Sequence, residues 1–224
     1  LAHLAIELGV SPAFAHVYAS GAHLSMQSEL GQHREVADAL PSLATSAPAL
    51  APTYRVSDCL AQAALGHLDE AREVFDGLRP DDFAALRFMA LHELNLAQAA
   101  VAAGLLGDRA AAEQLHRQLT PFAGRMIWTL THLHGPVELA LGRASLASGE
   151  LDRALVELDA AEAMSERSGL PGYRSRARLH RAEVHRERGA AGAAEADASA
   201  ALAEAEAIGH PEVTERSRAL LGEL

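Results

Sequence analysis

The 224-residue chain contains no lysine: all 19 of its basic residues are arginine. That removes a phosphate-loop lysine, a Schiff-base lysine and a Ser-x-x-Lys pair from consideration. It has a single cysteine, Cys59, so no internal disulfide can form, which fits a reducing cytoplasm. The expectation for Cys59 is a small buried residue. Aromatic residues make up only 4%. No apolar run approaches the ~18–20 residues that span a bilayer, and no basic-then-apolar leader opens the chain. The net charge of −11 disfavours broad contact with nucleic acid or an anionic membrane. No Gly-x-Ser-x-Gly elbow is present, and acidic pairs such as Asp81-Asp82 read as solvated helix faces.

What is present is alanine and leucine, which carry most of the 49% hydrophobic content and favour helix over sheet. No segment alternates apolar with polar as a half-buried strand does. The fold class read from this is all-α. The chain begins on Leu1, in "LAHLAIELG", already helical in pattern, and the expectation is a piece of a longer protein.

A repeat organises the helices. Glycines at 31, 66, 107, 149 and 189 each follow one apolar helical stretch and precede another, at intervals of 35, 41, 42 and 40. A helix commonly ends on a left-handed residue, where glycine alone has no Cβ clash. Asp69, Asp108 and Glu150 suit the start of the following helix, where the macrodipole favours negative charge. Ala71, Ala112, Ala154 and Ala194 suit a close helix crossing. Breaks with Pro or Gly separate the hairpins: "SAPALAP" at 46–52, "LRPDDF" at 78–83, "TPFAGR" at 120–125, "SGLPGY" at 168–173 and "GHPE" at 209–212. Hairpins that cannot cover their apolar faces alone stack on one another. The expectation is one domain over 1–224, a right-handed α-solenoid of ten to eleven helices, with "EVTERSRALLGEL" beginning a truncated or capping unit.

These residues resemble the tetratricopeptide repeat, most closely in the fourth unit: Leu141-Gly142, Gly149, Leu151, Ala154, Leu158 and Ala161. The spacing exceeds that family's usual ~34, so longer helices are expected. Across residues 10–210 the chain is also similar to the carboxy-terminal helical repeats of large actinobacterial signalling proteins. "DDFAALRF", "LLGDRAAAEQLHRQLTPFAGR" and the fourth-unit sequence carry that likeness. Its most specific phrase is L-x-P-(Y/F)-A-G-R, here Leu119 to Arg125. In those proteins an NTPase module precedes the repeats, with a cyclase-like domain or a LuxR-type DNA-binding helix-turn-helix in different members. The resemblance implies a non-catalytic sensor or scaffold arm, its partner a protein or peptide that includes other domains of the same chain.

In the tetratricopeptide register the first helices line a concave face through Leu94, Val101, Leu139, Arg143, Leu146, Arg176, Glu183 and Arg186. That mixture suits an extended peptide or a partner helix; the alternative is a small-molecule sensor whose ligand shifts the curvature. A second feature is "RSRARLHRAEVHRER" at 174–188. Arg174, Arg178, Arg181, His185 and Arg188 form a basic stripe on one helical face, set either to dock an acidic segment or a phosphate backbone, or to pair with a neighbouring acidic helix that carries Glu195, Glu204 and Glu206. The register taken from Gly189 turns Arg178, Arg181 and His185 inward, leaving two options: the register slips, or arginine stems pack with their heads in water.

No cofactor or metal is expected from the 12 histidines. His132 and His134 are the tightest pair, but two residues apart on a helix they point ~200° from each other; in a loop they could share an ion. "HRAEVH" at 180–185 lacks the His-Glu-x-x-His arrangement. Trp128 is expected in the core of a long helix with Met126, Ile127, Leu130 and Leu133 around it, ahead of the reading as an exposed anchor.

Overall fold

The computed structural model describes residues 6, 7, 9, 11–87, 91–129 and 131–224. The pattern at 1–9, Phe88 of "DDFAALRF" and Leu130 therefore fall wholly or partly outside the described residues. Among the described residues, twelve α-helical segments are bounded, in chain order: α1 (Pro12–Glu29), α2 (His33–Ser46), α3 (Ala51–Ala64), α4 (Leu68–Asp76), α5 (Pro80–Phe83), α6 (His92–Leu105), α7 (Arg109–Leu119), α8 (Val137–Ser148), α9 (Leu151–Arg167), α10 (Pro171–Glu187), α11 (Ala191–Ile208) and α12 (Pro211–Glu223). Ten to eleven were expected; the shortest of the twelve, α5, lies in the "LRPDDF" break, where Asp81, Asp82 and Phe83 take positive φ. The class is all-α apart from one two-stranded hairpin, β1 (Met126–Trp128) and β2 (Leu133–Pro136).

Successive helices pack on one another from α1 to α4 and from α6 to α12, and a second set of contacts joins α3 to α6, α6 to α8, α8 to α10 and α10 to α12. The hairpins are thus stacked in sequence order. The five repeat glycines all have positive φ, from 67° at Gly107 to 87° at Gly149. Ala71, Ala112, Ala154 and Ala194 are completely buried. Of the three acidic starts, Asp108 caps its helix, accepting a hydrogen bond from Ala111 N at 3.0 Å; Glu150 makes no such bond. Breaks containing proline place it in the first turn of the next helix, as Pro80, Pro171 and Pro211 do, where its missing N–H costs nothing.

Close crossings are set by small residues. A Cβ on Gly142 would lie 2.6 Å from Leu158 Cγ, so α8 and α9 approach over the bare Cα. A polar network reinforces this layer. Glu157 accepts from Ser145 Oγ at 2.6 Å and pairs with His116 at 2.6 Å, while Arg153 bridges Ser145 (2.8 Å) and Glu113 (2.5 Å). Hydrogen bonding to Arg153 lowers the Glu113 carboxyl and raises the guanidinium in return.

The expected helix through residues 126–133 is not formed. Ile127, Trp128, Thr129 and Thr131 favour extended backbone, and Gly124, Gly135 and Pro136 bound the segment against helix. The strands pair antiparallel, Met126 with Pro136 and Trp128 with Leu133, with a bulge between. Strand alternation sends Ile127 into the core at 3% exposure and Trp128 outward at 64%. Trp128 is therefore a surface residue, contrary to the core placement expected for it. Gly135, at φ +86°, lies against the Tyr173 ring, which a Cβ would approach to 2.5 Å. The Tyr173 hydroxyl donates to Leu133 O.

Gly142→Ala is expected to lower stability by about 1–3 kcal/mol, because the added methyl overlaps Leu158 at a packed crossing. For a chain of this size that corresponds to roughly 2–10 °C in thermal midpoint. An unchanged midpoint by circular dichroism would show that the crossing has room.

Candidate functional site

The alternate helices α1, α3, α6, α8, α10 and α12 share a face around a cavity of about 520 Å³. Its apolar wall includes Leu60, Leu94, Val101 and Leu139, and its polar wall Glu29, Arg143, Arg176, His180, Glu212 and Arg216. Of the eight groove residues read from sequence, Leu94, Val101, Leu139, Arg143 and Arg176 line it. Glu183 sits beside it, bonded to His180 and Arg216. Leu146 is half-buried against the cluster around Leu139 and Leu158. Arg186 is apart, with an exposed ion pair to Glu223 at 2.6 Å.

The polar wall is a lattice of ion pairs across helices far apart in sequence. Arg176 on α10 binds the Glu29 carboxylate and carbonyl at the end of α1, and Glu212 on α12 at 2.9 Å. Its guanidinium lies over the Tyr173 ring, 5.8 Å from the centroid. Arg216 joins Glu183 (2.6 Å) to Glu212 (3.0 Å). Burial alone would raise both carboxyl groups, but their partners reverse this: the charges of Arg176 and Arg216 bring Glu212 down to about 2, and the hydrogen bond from His180 with the charges of Arg216 and Arg143 brings Glu183 well below its usual range. Burial pushes His180 down to about 4, with Arg143 adding to the effect. The neutral imidazole donates from Nδ1 to Glu183 at 2.8 Å.

Arg143 is the exception. It lines the cavity yet makes no hydrogen bond or ion pair among the described residues. Burial, then Arg216, pushes its guanidinium down to about 10, while Glu183 and Glu212 pull the other way from beyond contact distance. A guanidinium presents five N–H donors, and those of Arg143 are left without a partner among the described residues, whereas Arg176 and Arg216 in the same wall are paired.

The basic stripe faces its neighbours. Arg174 pairs with Glu166 and Glu204, Arg178 with Glu162 (2.6 Å) and Glu204 (3.5 Å), and Arg181 with Asp159, Glu162 and Asp197 (2.7, 2.7 and 2.5 Å). His185 lies 3.6 Å from Asp197, and Arg188 pairs with Asp152 at 2.8 Å. α10 thus runs between acidic partners on α9 and α11. Arg178, Arg181 and His185 are 24%, 22% and 21% exposed, so their stems are packed and their heads paired.

The L-x-P-F-A-G-R phrase forms a corner between α7 and the hairpin. Arg125 stacks on Phe122 at 5.6 Å and pairs with Glu93 at 3.2 Å; Gly124 N donates to Glu138. Cys59 is buried, donates to Ala71 O at 3.3 Å, and burial raises its thiol to about 12, which leaves no reactive thiolate at neutral pH. One group can hold a metal: donor atoms of Glu29, His132 and His134 lie within 4.8 Å of one another. From sequence, His132 and His134 could share an ion only in a loop, and Glu29 was not among the residues singled out. Glu29, Glu212 and Arg216 were also missed as members of the cavity wall. They sit on α1 and α12, at opposite ends of the described helices, and no local spacing marks residues so far apart in sequence.

Between about pH 6.5 and 4 the unfolded chain takes a proton at His180 that the folded chain refuses. Stability is therefore full above this window and falls as pH drops through it. Arg143 on α8, Glu183 on α10 and Arg216 on α12 face this group. Lowering pH from about 7.5 to about 5 is expected to remove of the order of 2 kcal/mol through this residue. Urea unfolding of His180→Gln at both pH values checks it; an identical pH slope in variant and parent would assign the loss elsewhere.

Compared with known family models, curated proteins and solved structures, the chain finds no match.

Proposed function

We propose that this chain is a non-catalytic recognition arm, a right-handed solenoid of tetratricopeptide-like hairpins that takes an anionic segment of a partner protein into its concave cavity. The observation that carries this is Arg143: a guanidinium inside the cavity with no protein partner among the described residues, flanked by Leu94, Val101 and Leu139. An acidic side chain or terminal carboxylate on an otherwise apolar segment complements that wall. The resemblance to the repeat region of actinobacterial signalling proteins suggests the setting, a regulatory arm of a multidomain NTPase or transcriptional regulator. The partner is then a protein, or another domain of the same chain.

A second reading, a small-molecule sensor, is favoured by the size of the cavity: about 520 Å³ lies in the ~300–1,000 Å³ range of ligand sites. Because Arg176, Glu29 and Glu212 join α1 to α10 and α12 across this face, a ligand there would bias the curvature of the stack.

Thermal unfolding against a panel of acidic peptides, small carboxylates and phosphorylated metabolites separates the two readings, since a ligand bound only to the native state raises stability. Arg143→Ala is expected to weaken any hit roughly 10- to 100-fold, the worth of a charge-assisted hydrogen bond. Arg186→Ala, which breaks only the exposed pairs with Glu187 and Glu223, is expected to leave it unchanged. Undiminished affinity in Arg143→Ala would remove the cavity from the proposal.

A further inference from the structure

We infer that Glu29, His132 and His134 form a binding site for a zinc-class divalent cation, which fastens the end of α1 to the β-hairpin. The argument starts from the hairpin geometry. His132 lies in the turn immediately before β2 and His134 within β2, so neither is held in the divergent orientation that a helix would impose on residues two apart. The two rings lie edge to face with centroids 4.9 Å apart. Glu29, the last residue of α1, brings Oε1 to 3.7 Å from His134 Nδ1. The potential donor atoms of all three lie within 4.8 Å of one another.

A second observation points independently to a ligand. Nε2 of His132 and Nε2 of His134 are both buried with no hydrogen-bond partner among the described residues. A buried nitrogen without a partner costs about 1–3 kcal/mol, and two on adjacent rings are a place where a cation would satisfy what the protein leaves open. Tetrahedral bonds of ~2.0–2.1 Å set donor atoms roughly 3.3 Å apart, so the three groups need only close inward through side-chain torsions.

The donor set selects the ion. Two imidazoles and one carboxylate suit zinc and its first-row neighbours, and not calcium or magnesium, which take oxygen ligands. Arg176 holds Oε2 of Glu29 and the Glu29 carbonyl, fixing the carboxylate so that Oε1 is left toward the histidines; an outer partner of this kind commonly orients a metal ligand. The thermodynamic cost is the proximity of that guanidinium to a second cation, which predicts moderate affinity. Turn geometry supports the hairpin side: Thr129 N donates to His132 O at 2.9 Å and His132 N to Thr129 Oγ1 at 3.1 Å, so His132 is held at its backbone. Glu29 and His134 also line the cavity, so a remaining coordination position would open onto it. The inference does not depend on Arg143 or on the identity of any partner.

The test is titration of the untagged, chelator-stripped chain with zinc chloride by calorimetry, alongside His132→Ala/His134→Ala and Glu29→Gln. One zinc per chain is expected, with micromolar affinity, at least tenfold weaker in the double variant and weaker in Glu29→Gln. Zinc should raise the thermal midpoint of the parent and not of the double variant. If circular dichroism finds the double variant unfolded, His132→Asn and His134→Asn singly carry the same comparison. Cobalt(II) added to the unaltered chain should develop a visible ligand-field absorption that zinc displaces. Absence of stoichiometric binding to the parent, or equal binding by the histidine variants, would overturn the assignment; the latter would place the ion among the other histidines.

Discussion

The structure depends on how close two helices can come when neither carries a large side chain. With aromatics at 4%, the chain excludes water by approach and not by volume. Ala71, Ala112, Ala154 and Ala194 are fully buried, and Gly142 gives Leu158 the space of a missing Cβ. Dispersion falls off steeply with a small gap, so an alanine core tolerates little separation. This explains why the large residues gather where small ones cannot close the space. Phe75 and Phe83 pack together at 5.6 Å beneath the left-handed turn at 81–83, and Ile127 fills the gap between α6 and the hairpin.

The same constraint shapes the inner face. Alternate helices converge there with longer side chains, and the space between them holds a cavity in place of a core. Charged residues placed in it lose hydration and must find partners. Arg176 and Arg216 do so through Glu29, Glu183 and Glu212 on three different helices. Removing one partner of such a buried lattice leaves an uncompensated charge. The lattice therefore fixes the relative positions of α1, α10 and α12 more than it adds net stability.

Sequence pattern revealed the parts of the fold governed by neighbours along the chain. The glycines at 31, 66, 107, 149 and 189 mark helix ends because a left-handed terminus is a local event, and the alanines that follow mark crossings within one hairpin. The basic stripe was legible as a stripe, and its acidic partners Glu162 and Asp197 lie on the adjoining helices. The segment at 126–136 was misread because its composition was judged by its large apolar residues. Period-two placement of Ile127 and Trp128, bounded by Gly124 and Gly135, was the better signal. Contacts between Glu29 and Arg176 leave no trace in local spacing, since the two residues stand 147 positions apart and meet only in the assembled stack.

The hairpin is where these two regimes meet. A continuous stack of helices would leave the inner face a simple groove, each wall made by residues close in sequence. Between α7 and α8 the chain extends, and Ile127, His134 and Pro136 enter the cavity wall from a strand. The turn and the strand that follows it bring His132 and His134 together beside Glu29, which two residues so spaced on a helix could not do. Tyr173 holds the hairpin from the α10 side through Leu133 O and the bare face of Gly135. Arg176, three residues further along α10, grips Glu29. One helix thus anchors both the hairpin and the end of α1, and any group that binds between those two acts on the same joint that sets how far the stack closes.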